Sequence, residues 1–135
     1  MKKHMDVVGG VIFRNGCVLA AKRGEAKYAY VAHKYEFAGG KIEKGETPEE
    51  ALVREFMEEL GAAVRVTGHF MTVEHEYPDF TITLRTYECV FESSFTCLEH
   101  ESLDWIPVER LNPETWAPAD APVVEKILRE TSGDK

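Results

Sequence analysis

Glu55, Glu58 and Glu59 stand at i, i+3 and i+4. On a helix turning by ~100° per residue, their carboxylates fall within about one third of the circumference. Like charges at this spacing repel, and no lysine lies one turn further on to neutralise them. A hard divalent cation reverses that repulsion. Oxygen ligands alone, with positions left for water and substrate phosphate, suit Mg²⁺, or Mn²⁺ as a substitute, better than zinc. The same residues also read as a solvated acidic helix face, and their spacing leaves both readings open.

The elements that must carry these groups are legible locally. Thr47-Pro48-Glu49-Glu50 combines an N-cap threonine, a proline at the first helical position and a glutamate placed for a capping box. Leu52, Phe56 and Leu60 recur every four residues, and Gly61 supplies a stop. Together they predict a helix over 48–60. Upstream, the apolar runs 5–13 and 17–21 flank Asn15-Gly16, a strong hairpin signal. Residues 24–34 read as a loop, and a short strand is expected around Tyr35-Glu36-Phe37 and the pair Gly39-Gly40. Runs 64–73 and 81–91 alternate as strands around Tyr77-Pro78-Asp79, with a further strand at 103–106 and an amphipathic helix at 120–129. This order predicts an α+β domain, α/β/α layered, with a mixed sheet between helices and one domain over 1–135.

The bulk properties exclude several classes. A formal net charge of −8 opposes broad contact with a nucleic-acid backbone and suits a protein that concentrates cations. The opening MKKHMDVVGG lacks the apolar core of a secretory signal, and no run is long enough to span a bilayer, so the expected location is cytoplasmic. Cys17, Cys89 and Cys97 form no CxxC pair and read as reduced thiols. A monomer and a homodimer are both compatible with the chain.

Around the glutamates lie Gly40, Glu46, Arg54 and Gly61, so that GKIEKGETPEEALVREFMEELGA matches G-x5-E-x7-R-E-U-x-E-E-x-G-U, U being apolar, at all seven fixed positions. The segment resembles the Nudix box, and the chain is identified as a member of the Nudix hydrolase family. The resemblance implies a Nudix fold whose loop–helix–loop binds divalent metal and a substrate diphosphate. It implies Glu58 and Glu59 as metal ligands, Glu55 as ligand or general base, and the Gly39 carbonyl as a further ligand. Arg54 is expected to orient the carboxylates, and Glu58, at i+4, is its natural bidentate partner. Glu46 is expected to brace the loop.

Over residues 5–130 the chain further resembles the MutT-like nucleoside triphosphate pyrophosphohydrolases. That likeness implies Arg23, in Ala20-Ala21-Lys22-Arg23, as a phosphate contact. It also implies Phe37 and Lys41, in Glu36-Phe37-Ala38-Gly39-Gly40-Lys41, and Phe80, after Tyr77-Pro78-Asp79, as substrate-binding residues. Phe80 stands where the group's type member carries an arginine. Glu99 is expected to approach the metal or the attacking water, with Glu101 competing. Asp120, in Ala117-Pro118-Ala119-Asp120, replaces an asparagine that reads the base. Ionised, it only accepts and suits the N4 amine of cytosine; protonated, it could serve an oxidised guanine; or it simply caps the last helix. The implied reaction turns a (deoxy)nucleoside triphosphate into monophosphate and pyrophosphate, with CTP, dCTP or a modified nucleotide as substrate. The alternatives are an 8-oxo-dGTP diphosphatase, a pyrophosphatase of ADP-ribose or another nucleoside diphosphate sugar, and a non-catalytic nucleotide-binding domain.

Overall fold

The computed structural model describes residues 2–24, 30–93 and 102–132. In chain order the elements are β1 (Lys3–Val11), β2 (Phe13–Arg14), β3 (Cys17–Lys22), β4 (Tyr35–Glu36), β5 (Gly39–Lys41), α1 (Pro48–Leu60), β6 (Val64–Glu76), β7 (Phe80–Phe91), β8 (Ser102–Pro107) and α2 (Ala121–Ser132). Two short 3₁₀ turns, Val108–Arg110 and Pro113–Thr115, lead into α2.

The main sheet has the order β5-β1-β7-β6 and is mixed: β1 runs parallel to β7, while the β1–β5 and β6–β7 pairs are antiparallel. A second sheet joins β2, β3 and β4, with β8 paired to β3. The predicted strand over 5–13 is therefore two strands in two sheets. Val8 through Ile12 are all buried, so the chain crosses the core there and does not alternate between a wet and a dry face. The Asn15-Gly16 turn does close a hairpin, between β2 and β3, with φ of 53° and 76° at its two central residues.

Each helix covers one face of the main sheet. Helix α1 begins and ends as its signals dictate: Thr47 and Glu50 complete a reciprocal capping box, and Gly61, at φ 63°, returns its N–H to Met57 O. Its buried stripe, Ala51, Leu52, Phe56 and Leu60, packs with Val8, Ile12, Leu19 and Cys89. The approach to β1 is close enough that a Cβ on Gly10 would lie 2.8 Å from the Phe56 ring. On the other face Val123, Val124 and Ile127 of α2 pack with Val11, Val73, Leu84 and Trp116. Covering both faces explains why polar Thr83 and Thr86 of β7 are buried despite the alternating pattern; Thr86 donates its hydroxyl proton to Met71 O at 2.6 Å. Among the described residues no helix is long and apolar enough to cross a membrane, and Cys17 and Cys89 are free thiols. Cys97 lies outside the described residues.

Candidate active site

The loop from β5 to α1 and the first turns of α1 hold the carboxylates through one arginine. Arg54 donates from Nε to Glu46 Oε2 at 2.6 Å and from Nη2 to Glu46 Oε1 at 3.0 Å, a bidentate pair. Its Nη1 donates to both Glu55 Oε2 and Glu58 Oε1 at 3.1 Å, and Nη2 also meets the Lys41 carbonyl at 3.0 Å. The i+4 spacing predicted Glu58 as the bidentate partner, and the structure gives that place to Glu46. The reason is geometric: the loop before the helix folds back so that Glu46, which also accepts from the Glu43 amide at 2.9 Å, presents both oxygens to the flat guanidinium fork. The hydrogen bonds to Arg54 and to that amide hold the Glu46 carboxyl below its usual range, and the bonds to Glu46 and Glu55 hold Arg54 firmly protonated.

Glu55 is pressed against the β5 backbone. A Cβ on Gly40 would sit 2.5 Å from both of its carboxylate oxygens, so the glycine leaves the space the carboxylate fills. Gly39 is equally confined, since a Cβ there would collide with Val8 O. Glu58 is half exposed on the same helix edge. Among the described residues no three His, Cys, Asp or Glu side chains converge into an enclosed ligand cluster; Arg54 lies between the box carboxylates. Glu99 and Glu101 lie outside the described residues.

A cavity of about 380 Å³ opens beside this edge. Arg23, Phe37, Gly39, Lys41, Glu59, Phe80 and Asp120 line it, which brings together the substrate-binding residues singled out in the sequence and two of the proposed ligands. Apolar side chains of β1 and β7, including Met5 and Ile82, form its floor. Two further polar residues belong to it: Glu36, which pairs with Arg23 at 2.9 Å, and Tyr77. Both lie inside the segments that carry the family resemblance, Glu36 to Lys41 and Tyr77 to Asp79. Alternation along Glu36-Phe37 and the turn at Tyr77-Pro78 were the available signals, but they do not say which face turns toward a ligand.

Asp120 is 7% exposed, and its Oδ2 accepts from the Phe37 amide at 3.1 Å, across 83 residues of sequence. The Asp120 side chain lines the cavity, while its backbone carbonyl accepts the Val123 and Val124 amides at the start of α2. Burial, then the charge of Glu36, push this carboxyl up to about 8, while the Phe37 amide and Arg23 pull it down. Of the three readings open for Asp120, a carboxyl pushed this high fits the protonated one, which both donates and accepts, better than the ionised, accept-only one. Arg23, expected to meet phosphate, spends one Nη on Glu36, and with that partner its guanidinium stays protonated despite burial.

The family model described as NUDIX domain matches residues 3–127. The chain is 38% identical over 130 residues to the 8-oxo-dGTP diphosphatase of Escherichia coli (strain K12), covering 96% of this chain and 99% of that one. It is 34% identical over 127 residues to the CTP pyrophosphohydrolase of the same organism, covering 93% of each. The solution structure of the E. coli ORF135 protein superposes with a TM-score of 0.84 at 33% identity, over 98% of this chain and 94% of that one.

Proposed function

Because the chain belongs to the NUDIX hydrolase family and is an enzyme acting on nucleotides, we propose that it converts a (deoxy)nucleoside triphosphate to its monophosphate and pyrophosphate. The observation that carries this reading is the aromatic and acid-lined cavity running directly into the glutamate edge of α1, so that a base seated at Phe37, Phe80 and Asp120 leaves its phosphates beside Glu59 and Arg23.

Glu55, Glu58, Glu59 and the Gly39 carbonyl would hold Mg²⁺, with Mn²⁺ as a substitute. The donors are all oxygen, and the cradle at Gly40 is already filled by the Glu55 carboxylate. When bound, the cation neutralises charge on the phosphoryl oxygens and makes a bound water acidic near neutral pH. The chain's own residues supply the rest. Arg54, fixed by Glu46, aims the Glu55 and Glu58 carboxylates, and Glu55, if it does not ligate the cation, would accept the proton of the attacking water. Glu99 is the competing base. Arg23 and Lys41 stand at the phosphate side, where their charge offsets that of the leaving group.

A protonated Asp120 favours 8-oxo-dGTP as the substrate. Guanine offers acceptors at both O6 and N7, whereas its 8-oxo form carries a proton on N7 beside the O6 acceptor. One carboxylic acid that donates and accepts can match the second edge and not the first. Glu36 favours a second reading, CTP or dCTP, because an added carboxylate suits the N4 amine of cytosine. Measuring kcat/KM with Mg²⁺ across CTP, dCTP, 5-methyl-dCTP, dGTP, 8-oxo-dGTP and ADP-ribose tests both. Absence of pyrophosphate release from every triphosphate would sink the proposal; turnover of ADP-ribose alone would move it to the sugar-nucleotide alternative.

A further inference from the structure

Resting on the triphosphate reading above, we propose that Tyr77 is a positioning residue for base selection, its hydroxyl holding the 117–120 turn so that Asp120 faces the base cavity. The contact spans distant parts of the chain. The Ala119 amide donates to Tyr77 Oη at 2.9 Å across 42 residues, and both residues are almost fully buried. At its other end the turn is tied by Ala117 N to Tyr35 O at 2.8 Å, and it closes through Asp120 N to Ala117 O at 2.8 Å. Asp120 then reaches Phe37 N. The selector is thus suspended between β4 on one side and the tip of the β6–β7 hairpin on the other.

Tyr77 is itself held well enough to give its hydroxyl a direction. Its amide donates to Phe80 O at 2.8 Å, and Lys2 Nζ donates to its carbonyl at 3.0 Å. Its ring stacks on Tyr30 at 4.9 Å and packs against Phe80 at 4.9 Å and His75 at 4.5 Å. A phenylalanine would serve that packing equally well. What the hydroxyl adds is a partner for a buried amide one residue before Asp120, and a buried N–H left without an acceptor is costly enough to loosen the turn that carries it. The ionisable groups facing Asp120 are Glu36 from β4, Arg23 just past β3, and Tyr77; Tyr30 lies against Tyr77, and Glu59 of α1 lies beyond Arg23. A looser turn admits water among them, so the acidity of Asp120 reports on the tie.

The test is Tyr77→Phe, checked for folding by its thermal melt. A carbon-detected NMR titration of the Asp120 carboxyl needs no turnover; wild type should titrate near pH 8 and the variant distinctly lower. Selectivity, taken as the ratio of kcat/KM for the best and second-best triphosphates, should fall about tenfold, and chiefly through KM. A purely structural role would lower the melt and leave both readouts in place, so an unmoved titration or an unmoved ratio overturns the proposal. In wild type the Ala119 amide should exchange slowly with solvent hydrogen; exchange as fast as an exposed amide overturns it without any variant. If no triphosphate is turned over by wild type, the functional reading fails while the titration and the exchange still decide the role of Tyr77.

Discussion

The Glu55 carboxylate occupies the space in which Gly40 would carry a side chain: a Cβ there would lie 2.5 Å from each of its oxygens. The strand and the helix therefore share one constraint, and the glycine that opens the box is present for the glutamate fifteen residues on. The remaining box positions extend the same logic through Arg54, which reaches Glu46, Glu55 and Glu58 together.

Gly40→Ala tests that constraint. The methyl group pushes the Glu55 carboxylate out of its cradle, and a displacement on the order of 1 Å costs about 10²-fold in rate. Steady-state kinetics should show the loss in kcat, while circular dichroism reports a folded protein destabilised by about 1–3 kcal/mol. Wild-type kcat in this variant would mean that Glu55 has no positional role.

Arg54→Lys separates charge from geometry. Lysine keeps the positive charge but cannot present two donors to Glu46 while reaching Glu55 and Glu58. Turnover should fall by about 10²-fold, and Glu46→Gln, which weakens only the brace, should lose about tenfold. Equal effects from the two substitutions would contradict the division of roles drawn here.

The proposed all-oxygen donor set predicts metal dependence. Chelation with EDTA should abolish turnover and added Mg²⁺ should restore it. The paramagnetic resonance of Mn²⁺ should show weaker binding in Glu58→Gln and Glu59→Gln. Unchanged Mn²⁺ affinity in both variants would remove these residues from the ligand set.

The proposed role of Asp120 ties base preference to pH. Its proton is present below about 8 and lost above, so discrimination of 8-oxo-dGTP from dGTP should be steady through neutral pH and decline as pH rises past that value. Asp120→Asn, which keeps a donor and an acceptor at every pH, should flatten the alkaline limb. A ratio independent of pH in wild type would separate Asp120 from base reading.

The same proton affects stability. The folded-state value lies above the ordinary carboxyl value of 3.8, so between the two the native state binds the extra proton and unfolding becomes easier as pH rises from about 4 to about 8. Below that window the penalty is absent; above it, fully present. At pH 9 Asp120→Asn should be more stable than wild type, and at pH 4 the difference should shrink toward zero. Urea melts at the two pH values measure it.

Much of the site was legible along the chain because its signals are local. The capping box at Thr47, the apolar stripe of Leu52, Phe56 and Leu60 and the stop at Gly61 depend on neighbours within one or two turns, and helix α1 spans the predicted residues. The seven positions of the box identified the family because a metal-binding loop and helix need those residue types at those intervals. What distant segments share was decided only by tertiary structure. The split of the first strand between two sheets, the transfer of the bidentate bond from Glu58 to Glu46, the tie between Tyr77 and Ala119 and the upward push on the Asp120 carboxyl each arise where separate pieces of chain meet. Spacing determines which side chains share a face of one element. Burial and partner geometry, which set the acidity of Asp120 and the direction of Arg54, exist only once several elements have packed around them.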